Sequence, residues 1–264
     1  MIILRVLIAL IGVAYLMAAW RQRRHGTSWP VSRTALFIGG IVTLEFGLSP
    51  QLMHYAHDDV HMHMFQHLLI GMYAPLALVF ARPMTLLLKT LTPAQSRHVV
   101  AFLANRLVRL WCHPLTSAVF NVGGMALLYL TGLYALQLHT PSLSLLVHLH
   151  FIVAGCLFTW AVAGPDPAPH RPSLSTRFAV LVSAMACHAV LGKWMYFVEA
   201  PVIAGATTMH IQHAAQWMFY GGELAEAVLV FVLVRQWLAK PVTGAHQAPT
   251  TALSAERRSS MGVS

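Results

Sequence analysis

The chain has 264 residues, of which 57% are hydrophobic and only 9% charged. A soluble domain averages roughly 25% charged residues, so a water-soluble globular fold is excluded. Its formal charge of +9 sits on basic residues placed between apolar segments, with no aromatic-basic interleaving, which excludes a nucleic-acid surface and reads as a membrane topology signal.

A bilayer is crossed by about 20 apolar residues in helical form, and the chain holds seven such stretches. The first is 2–20, closed by Arg21, Arg23 and Arg24; because this basic cluster follows the apolar run, the segment reads as a retained helix and not a cleaved signal. The second, 34–52, begins after the breaker Trp29-Pro30, and the third, 60–80, stops at Arg82-Pro83. Residues 84–110 alternate apolar positions with Lys89, Arg97, Arg106 and Arg109, the pattern of a helix lying in the interface. The fourth and fifth spans are 115–138 and 142–163. A proline-rich loop, 164–172, leads to the sixth, 178–199, and the seventh is 208–238. The tail 241–264, rich in Pro, Ser, Thr and Ala, is expected to be disordered.

Together these predict an all-α polytopic membrane bundle of about seven transmembrane helices, 1–240. Of the 17 basic residues, only Arg5 and Lys193 fall on the side opposite Arg21–Arg24 when the spans are threaded. Basic loops stay in the cytoplasm, so the amino terminus is expected outside and the carboxyl terminus inside.

The histidines follow the opposite rule. His54, His57, His61, His63, His67, His139, His148, His150, His210 and His213 fall at the outer face or outer leaflet, while the basic loops hold only His25, His98, His113, His170 and His246. His188 is intramembrane. Residues 54–67 are the densest stretch. His63 and His67 are four apart and share a helix face. Only 14 residues separate His67 from Arg82, too few for a span, so the helix must start earlier and draw both histidines into the membrane. An ionisable group at that depth needs an interior partner. His54, His57 and His61 read equally as a wet interfacial loop. In the seventh span Met209, His213, Gln216, Tyr220 and Glu223 recur at 4,3,4,3 spacing, one seam on one face, with Glu226 three residues on. The sixth span offers His188, Met195 and Glu199 on one stripe, the fifth Ser144 and His148, and the second a lone Glu45.

Cys112, Cys156 and Cys187 form no CxxC pair, and no HExxH, GxSxG or nucleotide-binding glycine loop is present. No CxxCH motif supports covalent haem. Copper(I) is soft and takes imidazole with thioether, so a His/Met-lined chamber suits it. The expected copper ligands are His63 and His67, with His148, His188 or His213 as partners and Met64 and Met209, with Met62, as softer ligands. Glu45, Glu223 and Glu226 would orient histidines or take a released proton. Three rival readings remain. Buried histidines from two helices could ligate a b-type haem, intramembrane Glu and His could serve a proton-coupled metal transporter, and a cofactor-free scaffold could use them for hydrogen bonding.

The run His63-Met64-Phe65-Gln66-His67-Leu-Leu-Ile-Gly-Met-Tyr-Ala-Pro75, followed by Ala81-Arg82-Pro83, resembles the seven-helix cytochrome c oxidase assembly factors of the CtaG kind, as do His148 with His150 and the His213…Gly221-Gly222 segment. The resemblance implies a non-enzymatic protein of the bacterial plasma membrane that serves maturation of a haem-copper oxidase and contacts its subunits, with copper delivery suspected. It implies nothing for His54, His57 and His61.

Overall fold

In hydrocarbon a backbone must satisfy its own hydrogen bonds, and an apolar segment does so by coiling into a helix. The computed structural model describes residues 1–26, 28–168, 170–198 and 207–239, and no strand occurs among them. The elements are α1 (Ile2–Arg24), α2 (Val31–Gly47), α3 (Pro50–Asp58), α4 (Val60–Leu68), a π-helical turn (Leu69–Tyr73) and α5 (Ala74–Phe80). Then come α6 (Pro83–Thr90), α7 (Pro93–Leu103), α8 (Arg106–Trp111), α9 (Pro114–Leu130), α10 (Leu133–His139), α11 (Pro141–Val162), α12 (Leu174–Val198) and α13 (Thr208–Leu238). The tail 241–264 and Glu199 lie outside the described residues.

Five units are long and apolar enough to cross a membrane: α1, the continuous rod from Val60 to Phe80, α11, α12 and α13. Two bent pairs, α2 with α3 (52°) and α9 with α10 (81°), raise the number to seven if each counts as one span. The protein is thus a polytopic membrane bundle.

The bends have local causes. Ser49 caps α3, its hydroxyl accepting from the Leu52 N–H at 3.3 Å, and Pro50 occupies the first turn where its missing N–H costs nothing. At Thr131 the backbone is extended and Gly132 starts a new helix, so the fourth segment ends at Leu130 and α10 folds aside instead of continuing to 138. The rod of α4 and α5 stops at Arg82, held in the left-handed region at φ 57° before Pro83. The carboxylate of Asp166 then accepts from the N–H groups of Met84 and Thr85, at 3.1 and 2.9 Å, which would otherwise be orphaned at the start of α6.

The basic end is tied by side chains that reach helix-terminal carbonyls. Arg177 donates to Val162 O and to Gln236 Oε1, both at 2.9 Å, and Gln236 donates to Ala163 O at 3.2 Å, capping α11. Tyr15 donates to Ala81 O at 2.9 Å and Gln22 to Lys89 O at 2.8 Å, fastening α1 over α5 and α6.

The centre of the bundle depends on close backbone approach. α11 packs on α5, α9 and the π turn, and a Cβ on Gly155 would run into the carbonyl of Gly71. α13 buries Ala214, Ala215, Gly222 and Ala225, small residues that let it lie against α12 and α4. Gly155→Val is therefore expected to destabilise the protein by about 1–3 kcal/mol. Gly132→Ala, at a glycine with open space around it, should stay within about 0.5 kcal/mol. Thermal unfolding of the detergent-solubilised pair checks this; equal midpoints would contradict the crossing.

Candidate functional site

Asp59 caps α4 by accepting from the His61 N–H at 2.7 Å, which sets the helix start and with it the depth of everything below. One turn in, His63, Met64, Gln66 and His67 are all buried. Gln66 donates to Gly47 O at 2.7 Å, satisfying a terminal carbonyl of α2 and locking the rotation of α4. That rotation turns both histidines inward.

Four buried imidazoles and one buried carboxylate meet there: His63 and His67 from α4, His148 from α11, His188 from α12 and Glu226 from α13. His63 lies within electrostatic reach of His148 and His67, and His67 within reach of His148 and His188. They form a column from the histidine-rich end towards the middle of the bundle.

Each partner in the column accepts but cannot donate, which fixes the imidazole tautomers. His148 Nδ1–H donates to Ser144 O at 2.6 Å. His188 Nδ1–H donates to Glu226 Oε1 at 3.1 Å. His67 Nε2–H points at Met125 Sδ at 3.1 Å. In every case the other ring nitrogen carries a lone pair. Those of His67 (Nδ1) and His188 (Nε2), together with His63 Nε2, are buried without a hydrogen-bond partner. An imidazole whose N–H is held by a carbonyl or carboxylate while its second nitrogen stands free is prepared as a metal ligand.

Packing holds the rings upright. His63 meets the Tyr134 ring edge-on at 4.7 Å, and His67 meets Phe151 at 4.5 Å. Two glycines make room: a Cβ at Gly71 would press on the His67 ring at 3.4 Å, and one at Gly222 would collide with His188. A cavity of about 180 Å³ opens on the column from the histidine-rich end, lined by Met53, His57, His63, Gln137, Ser144 and His148.

The other candidates lie elsewhere. His213 is exposed and joins a second cluster, its ring 5.9 Å from His61, which in turn is 5.4 Å from His210. Met209 is 64% exposed, whereas Met64 is wholly enclosed in an apolar cluster with Met125, Tyr129 and Met195. Glu45 pairs with Arg5 at 3.0 Å and touches no histidine. The seam of Met209, His213, Gln216, Tyr220 and Glu223 faces out of the bundle, and only Glu226, rotated off that line, is buried. The reason is the opposite face of α13, whose alanines and glycine pack more closely than the bulkier polar residues could. Among the described residues, no three His, Cys, Asp or Glu side chains stand close enough together to enclose a metal ion. What the column offers is mixed imidazole and thioether.

Met125, Tyr129, Tyr134 and Gln137, all beside the column, have no signal in the sequence. α9 and α10 contain no acidic or basic side chain in that stretch other than His139, and Met and Tyr are ordinary core residues.

A model of the cytochrome c oxidase caa3 assembly factor family matches residues 13–240, which include the entire column. The chain belongs to this family. Among curated relatives it is 27% identical over 247 residues to an uncharacterized protein of Mycobacterium leprae, and 28% identical over 249 residues to uncharacterized proteins of Mycobacterium bovis and Mycobacterium tuberculosis. Each alignment covers 86% of this chain but 37% of the relative, so the chain spans little more than a third of the relatives' length. No solved structure matches it.

Removing one member of the buried His188–Glu226 pair strands the other. Glu226→Ala, which leaves the His188 N–H unpaired, is expected to cost about 1–3 kcal/mol, and His188→Phe/Glu226→Leu should recover most of that loss. Denaturation of the three proteins in detergent measures it, and a mild effect of the single change would show that the pair is not a structural unit.

Proposed function

We propose that this oxidase assembly factor sits in the bacterial plasma membrane with its histidine-rich end outside, takes copper there and presents it to a haem-copper oxidase subunit during maturation of the metal centre. The observation that carries the reading is the column's set of free ring nitrogens, those of His67 and His188 on imidazoles held through their other nitrogen and that of His63 on a ring packed edge-on against Tyr134. The basic loops at the opposite end support the orientation.

Copper is cargo in this reading. The cavity mouth with His63 and His148 would receive it, and His67 with Met125 supplies the imidazole–thioether combination that suits copper(I) once the ring proton moves from Nε2 to the unpartnered Nδ1, so that Nε2 and Sδ face the same ion. Neutral imidazoles already present lone pairs, so binding needs little proton release from the column. Glu226 keeps His188 oriented and offsets positive charge brought inside. The trio of half-buried His61 with exposed His210 and His213 stands at the outer rim as a first contact for the ion.

A haem is a poorer fit. Cofactor pockets run to about 300–1,000 Å³, against about 180 Å³ here, and Phe151, Tyr129 and Tyr134 fill the space beside the rings.

Competition titration of the purified full-length protein with copper(I) tests the proposal. His63→Ala/His67→Ala should weaken binding by about a hundredfold, the upper end of the 10–100-fold range typical when even supporting residues are lost, and Met125→Leu should weaken it severalfold. Unchanged affinity in the double variant would refute the ligand assignment, and a Soret band in the purified protein would favour haem instead.

A further inference from the structure

The outward face of α13 raises a separate question. Gln216, Tyr220 and Glu223 lie four and three residues apart, form one stripe, and are all exposed. Glu223 is fifteen residues from Thr208 and fifteen from Leu238, the ends of α13, so it lies at the midpoint of a membrane-length helix. No described residue hydrogen-bonds or pairs with it. A carboxylate at that depth facing lipid is costly, and such groups normally face protein.

Beside it, a groove of about 400 Å³ between α12 and α13 is lined by Lys193, Tyr196, Gln216, Phe219 and Tyr220. Lys193 is exposed, with Nζ 5.6 Å from the centre of the Phe219 ring. It therefore stands about one helical turn nearer the histidine-rich end than Glu223 and does not neutralise it. The face thus presents a cation at one depth and an anion one turn deeper, flanked by hydrogen-bonding Tyr and Gln.

We infer that this face docks a transmembrane helix of a different protein, one that carries a hydrogen-bond donor at mid-membrane and an acceptor or acid one turn nearer the histidine-rich end. A second copy of the chain is a poor occupant. A two-fold axis along the membrane normal keeps every residue at its own depth, so Glu223 would meet Glu223 and Lys193 would meet Lys193. The docking residues Gln216, Tyr220 and Glu223 are exposed, whereas Glu226 and Gly222, the α13 residues against the column, are buried, so the face is tested independently of copper binding.

The experiment uses the fluorescently labelled full-length chain in phosphatidylethanolamine/phosphatidylglycerol vesicles with synthetic single-span Leu/Ala helices, association being read by energy transfer. A helix with one mid-span Asn or Lys should bind about tenfold more tightly than the all-apolar helix, the range of interhelical hydrogen bonds measured in model peptides. Glu223→Leu should abolish that preference. Glu223→Gln, which keeps an acceptor without the charge, should keep the preference for the Asn helix and lose the additional preference for Lys. Equal binding of all helices, or an unchanged preference in Glu223→Leu, overturns the inference. Glu223-dependent energy transfer between two copies of the chain would also overturn it, by giving the face to self-association.

Discussion

In hydrocarbon no water is present to complete a hydrogen bond, so each buried polar group must find its partner within the protein or remain unsatisfied. Most of the bundle obeys this constraint closely. Gln66 takes a carbonyl of α2, Arg177 and Gln236 take those of α11, and Asp166 takes the first N–H groups of α6. Among the described residues, three of the buried side-chain atoms left without a partner are imidazole nitrogens, of His63, His67 and His188. They lie along one column, each on a ring oriented by its neighbours, and a buried group left unpaired calls for an explanation.

The glycines make this arrangement possible. Four imidazoles in one bundle need more width than apolar side chains leave, and that width comes from the π turn at 69–73 and from Gly71, Gly155 and Gly222, where backbone or ring occupies the space of a missing side chain. Packing, hydrogen bonding and chemistry converge on the same few turns. The family signature runs through those turns: Gln66 sets the rotation of α4, His63 and His67 face the column, and Gly71 makes room below them.

Much of the fold was legible in the sequence. Apolar length marked the helices, and proline with arginine marked the stop at Arg82. The shortage of residues between His67 and Arg82 puts His63 and His67 on the apolar rod, and both are buried in the bundle. The breaks at Ser49-Pro50 and Thr131-Gly132 were passed over because hydropathy averages across them, although the cap and turn residues are present. Within the site, His188 and Glu226 are joined by a contact between two helices that spacing on either one does not reveal. Periodicity grouped Glu223 with His213 correctly as sharing a face, but it could not say whether that face pointed inward; the small residues opposite decided it. Glu45 is visible in the sequence as a lone carboxylate among apolar neighbours, while its partner Arg5, forty residues away on α1, is not.

The proposed copper site turns on His67 Nε2 and the Met125 sulfur, 3.1 Å apart, accepting one soft metal ion between them. X-ray absorption spectroscopy of the copper(I)-loaded, full-length protein addresses it most directly, because the edge and fine structure report the ligand atoms themselves. The account predicts a low-coordinate copper(I) centre with both imidazole nitrogen and sulfur in its shell, the sulfur contribution disappearing in Met125→Leu. A shell of nitrogen and oxygen alone, unaltered by that substitution, would contradict it.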